Sequence, residues 1–316
     1  MIMSSSEIVP GVFRIRGKYV DDFGYLSSYI VVNNGVSAVI DPGTAGDPGE
    51  DIIKHIKQLG LNPKNDVTAI ICTHGHPDHV GGAGLLRKKT GASIMIHESD
   101  AKLLKDPSLF IKERLRLDLA GRLAMKLEKG PLRVNYRAAE PDHIFHDKET
   151  IKIGDFELKV IHTGGHSAGH CVFYESKNKI LFSGDEVNNF PNEPQKFYLD
   201  LSGDIADRGT ALDKMTRMDI DYLLPAHDIP HLFGEVSLQI KEARNGVNHF
   251  QDTVLRLIKA RGDSDIEQLV YDIEVSRSVP IPEALDALLP TTLEVTLNSL
   301  KKAGLVKEKD GIWYAV

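Results

Sequence analysis

The stretch Ala69-Ile70-Ile71-Cys72-Thr73-His74-Gly75-His76-Pro77-Asp78-His79-Val80-Gly81-Gly82 decides how this chain is read. An apolar, β-branched run ends at Thr73, three histidines and an aspartate follow within six residues, and a helical pattern then opens. Nitrogen and oxygen donors of borderline hardness on one strand-to-helix turn suit Zn²⁺ or a similar divalent ion. At this chain's own residue frequencies, H-x-H-x-D-H would arise by chance in roughly one such chain in a thousand, so a metal site is preferred to a set of structural histidines.

The pattern outward from this turn interleaves strands and helices. Strands are expected at Val12 to Arg16, Ser28 to Val32, Val36 to Asp41 across an Asn33-Asn34-Gly35 turn, Ala69 to Thr73 and Ile94 to His97. Helices are expected from about Gly49 to Leu59 and from about Val80 to Lys89, closed by Gly60 and Gly91. The β signal resumes from Ile151, with Phe156 to His162, Cys171 to Glu175, Ile180 to Ser183 and Tyr222 to Leu224. Strand, helix and strand again in both halves describe a layered α/β domain, taken here as residues 1–233.

Two segments stand apart. Between the halves, a helical insert at about residues 102–137 repeats Ile111, Leu115, Leu119, Leu123 and Leu127 every four residues. It carries ten basic and four acidic side chains, a net of +6 in a chain whose total is −7. Residues 234–316 form a helical tail, with Ile240, Val247, Phe250, Val254, Leu257 and Ile258 on one helical face. Ser264 with Glu267 and Thr291 with Glu294 match capping boxes, and an Asp310-Gly311 turn joins two short strands. Three helices and a hairpin describe a winged-helix-like module.

The composition bounds the function. At 316 residues, 41% hydrophobic and 26% charged, the chain is a folded protein large enough for two domains. Cys72 and Cys171 are the only cysteines, which excludes a disulfide framework, and no run of about 18 apolar residues appears, so a cytoplasmic protein without a transmembrane segment is expected. From Arg244 onward the tail has nine basic and eleven acidic side chains, which argues against DNA binding. No G-x-G-x-x-G after a strand and no G-x-x-x-x-G-K-[ST] occurs, so no organic cofactor is expected.

Five motifs in order, Asp41-Pro42-Gly43, Thr73 to Gly82, His162-Thr163-Gly164-Gly165-His166-Ser167-Ala168-Gly169-His170, Ser183-Gly184-Asp185 and Leu224-Pro225-Ala226-His227, resemble the metallo-β-lactamase superfamily, and within it the glyoxalase II-like metallohydrolases. The resemblance covers about the first 230 residues and implies an αββα sandwich with two metals at the edge of the sheets. It implies that His74, His76 and His166 hold one metal, that Asp78, His79 and His227 hold the second, and that Asp185 bridges them. Asp41 and His170 would orient ligands, and Asp78 and Asp185 would take part in catalysis. The two divalent ions are expected to be Zn²⁺, with Fe or Mn as alternatives. His76 separates the chain from the diiron flavoproteins, and Asp185 separates it from true β-lactamases.

Gly165, Glu186, Ala226 and Asp228 depart from the family's usual residues without removing a ligand. His97, His162 and His231 are expected to be structural histidines, and Cys72, Cys171 and Trp313 core residues. The leading reading is hydrolysis of a thioester or ester by a hydroxide bridging two metals, on a small-molecule substrate of anionic character selected by the basic insert. The alternatives are a phosphodiesterase or endoribonuclease with the same two-metal site, for which RNA would be the partner, and a non-catalytic metal-bound regulatory or binding protein. A homodimer is compatible with the apolar stripe of the insert.

Overall fold

A computed structural model describes residues 5–18, 25–46, 48–106, 108–110, 112, 136–187, 203–227, 232–279 and 288–316. The first sheet runs in chain order through β1 (Ser5–Val9), β2 (Val12–Lys18), β3 (Tyr25–Asn33), β4 (Val36–Ile40), β5 (Val67–Ile71), β6 (Ser93–His97) and β7 (His143–Phe145). Pairing is antiparallel up to β4 and parallel from β4 to β7. The β3 to β4 turn falls on Asn34 and Gly35, both at positive φ, as the Asn-Gly signal requires. The second sheet contains β8 (Thr150–Ile153), β9 (Phe156–His162), β10 (Cys171–Glu175), β11 (Ile180–Gly184), β12 (Tyr222–Pro225) and β13 (Leu232–Phe233).

The layers follow from burial. Val12, Tyr29, Val31, Ala38, Ile40 and Ile71 of the first sheet meet Leu158, Val160, Phe173, Phe182 and Leu224 of the second in a core between the sheets. On the outer face of the first sheet, Ile30, Val39, Ile70 and Ile94 bury Ile52 and Ile56 of α1 (Gly49–Gln58). The same face buries Ala83 and Leu86, which lie in a later helix, Ala83–Thr90. The second sheet is covered by Ile205, Leu212 and Met215 of a helix at Ile205–Met215 together with the tail. The result is the expected αββα order. Strands β4 and β5 are buried on both faces and read as nearly continuous apolar runs.

The segment expected as one helix from Val80 is two, α3 (Pro77–Val80) and α4 (Ala83–Thr90), after a short α2 (Pro63–Asp66). The break is at Gly81-Gly82, where a Cβ on Gly82 would lie 2.5 Å from the Pro42 carbonyl oxygen and 2.8 Å from that of Thr44. Close backbone approach therefore takes precedence over helical continuity, and it brings the Asp41 loop against the histidine turn. Helix α5 (Glu98–Lys105) follows β6, and α6 (Ile205–Met215) was not legible in the sequence; its N-cap is Asp204, which accepts from the backbone N–H of Ala206 at 2.9 Å.

The tail contains α7 (Val236–Arg261), α8 (Ile266–Ser276) and α9 (Leu289–Lys302), then β14 (Val306–Lys309) and β15 (Ile312–Ala315) around Asp310 and Gly311 at positive φ. Two capping expectations are corrected. Asp265, one residue after Ser264, caps α8 by accepting from Gln268, and α9 starts at Leu289, so Thr291 is a buried residue inside the helix. Trp313 is buried and exchanges two backbone hydrogen bonds with Ser264. Lys302 reaches Asp204 at 2.7 Å, tying the tail to α6.

Of the basic insert, residues 102–106, 108–110, 112, 136 and 137 are described, and Phe110 is buried in the core beneath the tail. The leucine stripe from Leu115, with Arg114, Arg116 and Arg122, lies outside the described residues, as do Asp228 and His231. Among the described residues no helix is long and apolar enough to cross a membrane.

Candidate metal centre

Every motif singled out in the sequence ends at one rim of the sandwich. Strand β5 leads into Thr73 and His74, α3 carries Asp78 and His79 in its single turn, β9 leads into the His166 loop, β11 leads into Asp185, and β12 leads into His227. Strand C-terminal ends in α/β sheets gather functional groups because the following loops leave the sheet there.

The side chains converge. His76 Nδ1 lies 3.0 Å from His166 Nε2, and His79 Nε2 lies 3.1 Å from His227 Nε2. His74, His76 and His166 form one group able to hold an ion, and Asp78, His79 and His227 a second. Asp185 lies between them, with Oδ1 at 3.3 Å from His79 Nε2 and Oδ2 at 3.4 Å from His166 Nε2 and 3.5 Å from His227 Nε2. Asp78 Oδ2 is 3.2 Å from His227 Nε2. All seven residues are buried except Asp78, which is partly exposed.

The hydrogen-bond network sets the direction of the lone pairs. The Thr73 hydroxyl donates to Asp41 Oδ2 at 2.7 Å, so the Thr73 oxygen must accept from His74 Nδ1–H at 3.0 Å. His74 Nε2 is then a buried lone pair, and it has no hydrogen-bond partner among the described residues. Asp41 Oδ2 also accepts from His79 Nδ1–H at 3.1 Å, which turns the His79 Nε2 lone pair inward. Asp41 holds positive φ, a conformation a non-glycine residue adopts at a cost, and Thr73 N–H donates to its Oδ1 at 2.7 Å.

His170 acts on the bridging position. The Asp185 backbone N–H donates to His170 Nε2 at 3.1 Å, and the Thr163 hydroxyl donates to the His170 carbonyl, so the His170 proton sits on Nδ1 and donates to Thr163 Oγ1 at 2.9 Å. Burial pushes the His170 imidazole down to about 3, which keeps it neutral and able to accept. Burial and neighbouring imidazoles likewise hold His74 well below the usual range. His79 and His227 go the other way: burial opposes their charge, but Asp185 and Asp78 outweigh it and raise both. Protons on these imidazoles stand where a cation would supply the positive charge instead. Inward lone pairs, paired imidazoles at contact distance and a carboxylate between the two groups together fit a pair of divalent ions.

Three residues of the site escaped the sequence reading. Asp100, fully buried on α5, accepts from Gly75 N–H at 2.9 Å, from Gly169 N–H at 3.2 Å and from the Ser167 hydroxyl, so it ties the loops of two histidine motifs together. Thr73 passed as a strand residue, although its position before the first histidine was a signal. Arg208, on the unforeseen α6, is buried beside Glu186.

Of the histidines expected to be structural, His97 and His162 pair with each other, and His231 lies outside the described residues. His162 stacks on His97 with ring centroids 4.2 Å apart and donates from Nε2 to the Ala168 carbonyl at 2.9 Å. Cys72 and Cys171 are buried, and desolvation raises both thiols, which makes them core residues and poor nucleophiles. The Phe110 ring packs at 4.8 Å from that of His76, so the start of the basic insert touches the centre.

A family model described as the metallo-beta-lactamase superfamily matches residues 21–227. The hydroxyacylglutathione hydrolase GloC of Haemophilus influenzae is 31% identical over 150 residues, 47% of this chain and 60% of that protein. The human acyl-coenzyme A thioesterase MBLAC2 is 24% identical over 232 residues, 69% of this chain and 78% of that protein. The match to a Bacillus subtilis protein named as a probable metallo-hydrolase spans 64% of its length, so the chain covers under two thirds of several of these relatives. The crystal structure of a metallo-beta-lactamase family protein from Thermus thermophilus superposes with a TM-score of 0.77 over 98% of this chain and 100% of that one, at 19% identity, a likeness of fold.

Proposed function

The chain belongs to the metallo-beta-lactamase superfamily, and from that premise we propose that it is a binuclear metal-dependent hydrolase of thioesters. The observation that carries this reading is Asp185, whose carboxylate reaches both triads: Oδ2 lies beside His166 of one and His227 of the other, and Oδ1 lies beside His79. A structural site would surround one ion completely, whereas three protein donors per ion and a shared carboxylate leave positions for water and substrate.

In this reading His74, His76 and His166 hold one ion and Asp78, His79 and His227 the other, with zinc as the first candidate. When bound, the ions supply Lewis acidity toward a scissile carbonyl and lower the pKa of an attacking water. The chain's part is positioning. Asp41 and Thr73 hold His79 and His74 with their lone pairs inward, and His170 fixes the backbone at Asp185. Asp78, the one partly exposed acid of the set, is held ionised against its burial by His79 and His227, so it can serve as a carboxylate donor.

The names of the relatives, a hydroxyacylglutathione hydrolase and an acyl-coenzyme A thioesterase, support an acyl group on a thiol carrier. The basic insert, with its net charge of +6, supports an anionic substrate, since opposite charge near a cleft raises local concentration and on-rate. Residues 234–316 serve in this reading as a winged-helix-like structural cap. One preparation assayed for metal stoichiometry and for turnover of a thioester, an acyl ester, a phosphodiester and RNA tests the reading. Two metals per chain with thioester turnover dominant is expected. Phosphodiester or RNA turnover without thioester cleavage would overturn it.

A further inference from the structure

Glu186 and Arg208 are both buried, and neither is among the ligands or the residues so far given a role. Glu186 Oε2 faces Arg208 Nε at 3.6 Å. From this pair two hydrogen bonds reach the centre, and a third returns to the Glu186 backbone. Glu186 Oε1 accepts the backbone N–H of His166 at 3.2 Å, and Arg208 donates from one terminal nitrogen to the Asp185 carbonyl at 3.4 Å and the Glu186 carbonyl at 3.3 Å. The pair therefore holds the backbone of a histidine in one triad and the backbone of the carboxylate that faces both.

The packing around it accounts for a second unusual residue. A Cβ on Gly165 would lie 2.5 Å from Arg208 Cα and Cβ and 2.8 Å from Glu186 Oε1. Two departures from the family pattern, Gly165 and Glu186, thus belong to one arrangement with Arg208: the glycine makes room for the pair beside His166. The pair is also neutral in sum. An acid next to Asp185 would otherwise add negative charge beside the centre, and the guanidinium offsets it.

We propose that Glu186 and Arg208 are positioning residues, a buried ion pair that sets the spacing between the His166 loop and Asp185 and so tunes metal binding. This rests on reading the cluster as a metal centre. Residues that orient ligands from outside typically govern metal affinity by about 10- to 100-fold. Removing one partner of a buried pair leaves the other charge uncompensated, whereas replacing both need not.

The test uses the full chain. Glu186→Gln keeps an oxygen for His166 N–H but removes the charge; Arg208→Lys keeps the charge but not the fork that reaches two carbonyls and a carboxylate. Each is compared with the unmutated protein by zinc competition titration and by the visible spectrum of the Co²⁺-loaded form, with circular dichroism reporting the fold. In both variants, affinity for at least one ion is expected to fall about 10-fold or more and the Co²⁺ bands to shift, with dichroism unchanged. Folded variants with the original affinities and spectrum, however far their melting temperature drops, would overturn the proposal and leave the pair as packing. If either fails to fold, the neutral double change E186Q/R208M replaces it, and an unaltered spectrum there overturns the proposal equally. Absence of metal from the unmutated protein would instead defeat the functional reading on which this rests.

Discussion

Asp41→Asn isolates the role of a side chain that touches no proposed metal position. Asn tolerates the positive φ of residue 41 better than most residues, so the backbone is not the variable. Asp41 accepts three hydrogen bonds, from Thr73 N–H and the Thr73 hydroxyl at 2.7 Å each and from His79 Nδ1–H at 3.1 Å. An amide keeps one oxygen and turns an NH₂ toward the remaining donors. If the oxygen stays with Thr73 N–H, the NH₂ faces His79, whose Nδ1 must become an acceptor. The proton then moves to Nε2, where the lone pair for an ion would be. Hydrogen bonds to charged groups contribute about 1.5 to 3 kcal/mol each, so a loss of stability of about 3 kcal/mol is expected from the bonds disturbed. Metal affinity at the Asp78, His79 and His227 group should fall about 10- to 100-fold. Thermal unfolding of the metal-free protein reads the first quantity, and competition titration with a chromophoric chelator reads the second. A folded variant that binds both metals as tightly as the unmutated chain would refute the assignment of the His79 tautomer to Asp41.

Asp185→Ala should reduce bound metal from two ions to one or fewer and abolish turnover, with the fold retained by dichroism; full metal content with activity would place the reaction elsewhere. In the metal-free protein, His170 is depressed to about 3 from an ordinary value of 6.5, so between these values the unfolded chain binds the extra proton. The stability this histidine provides is present above about pH 6.5 and is lost as pH falls toward 3, at no more than about 1.4 kcal/mol per pH unit. Denaturant unfolding of His170→Gln should show a correspondingly flatter acid limb, and an identical limb would contradict the neutral assignment. Changing Arg114, Arg116 and Arg122 together to Ala should lower kcat/KM for an anionic thioester, less so at high salt, and leave a neutral one nearly unchanged; equal effects on both would assign the insert to structure.

The sequence by itself determined the α/β class, the strand that carries Thr73 to the histidine turn, and the order of five donor motifs along the chain. Those features are local. Period-two and helical spacing, the Asn34-Gly35 and Asp310-Gly311 turns, and runs of donor side chains are written in consecutive residues. Helix boundaries were less legible where a long-range contact intervened, as at Gly82, whose close approach to the Pro42 carbonyl divides the segment into α3 and α4. Helix α6 was hidden because its sequence, Ile205-Ala-Asp-Arg-Gly-Thr-Ala-Leu-Asp-Lys-Met215, has a glycine at its centre and a weak apolar stripe, and it is the outer face of the second sheet that buries Ile205, Leu212 and Met215.

Only the tertiary structure decided how the donors are held. Asp100 meets Gly75 and Gly169 across 25 and 69 positions of chain, Asp41 meets His79 across 38, and Arg208 reaches Glu186 from a separate helix. Sequence marks such residues merely as acids or bases, because the cost of burying a charge is offset only by the particular partners that packing brings within reach. The extra acid at Glu186 reads in the sequence as added negative charge beside the centre; folded, it is opposed by Arg208 and bonded to His166. Donor identity is a property of residues in order, whereas the direction of a lone pair and the charge a site experiences are properties of what the fold packs against it.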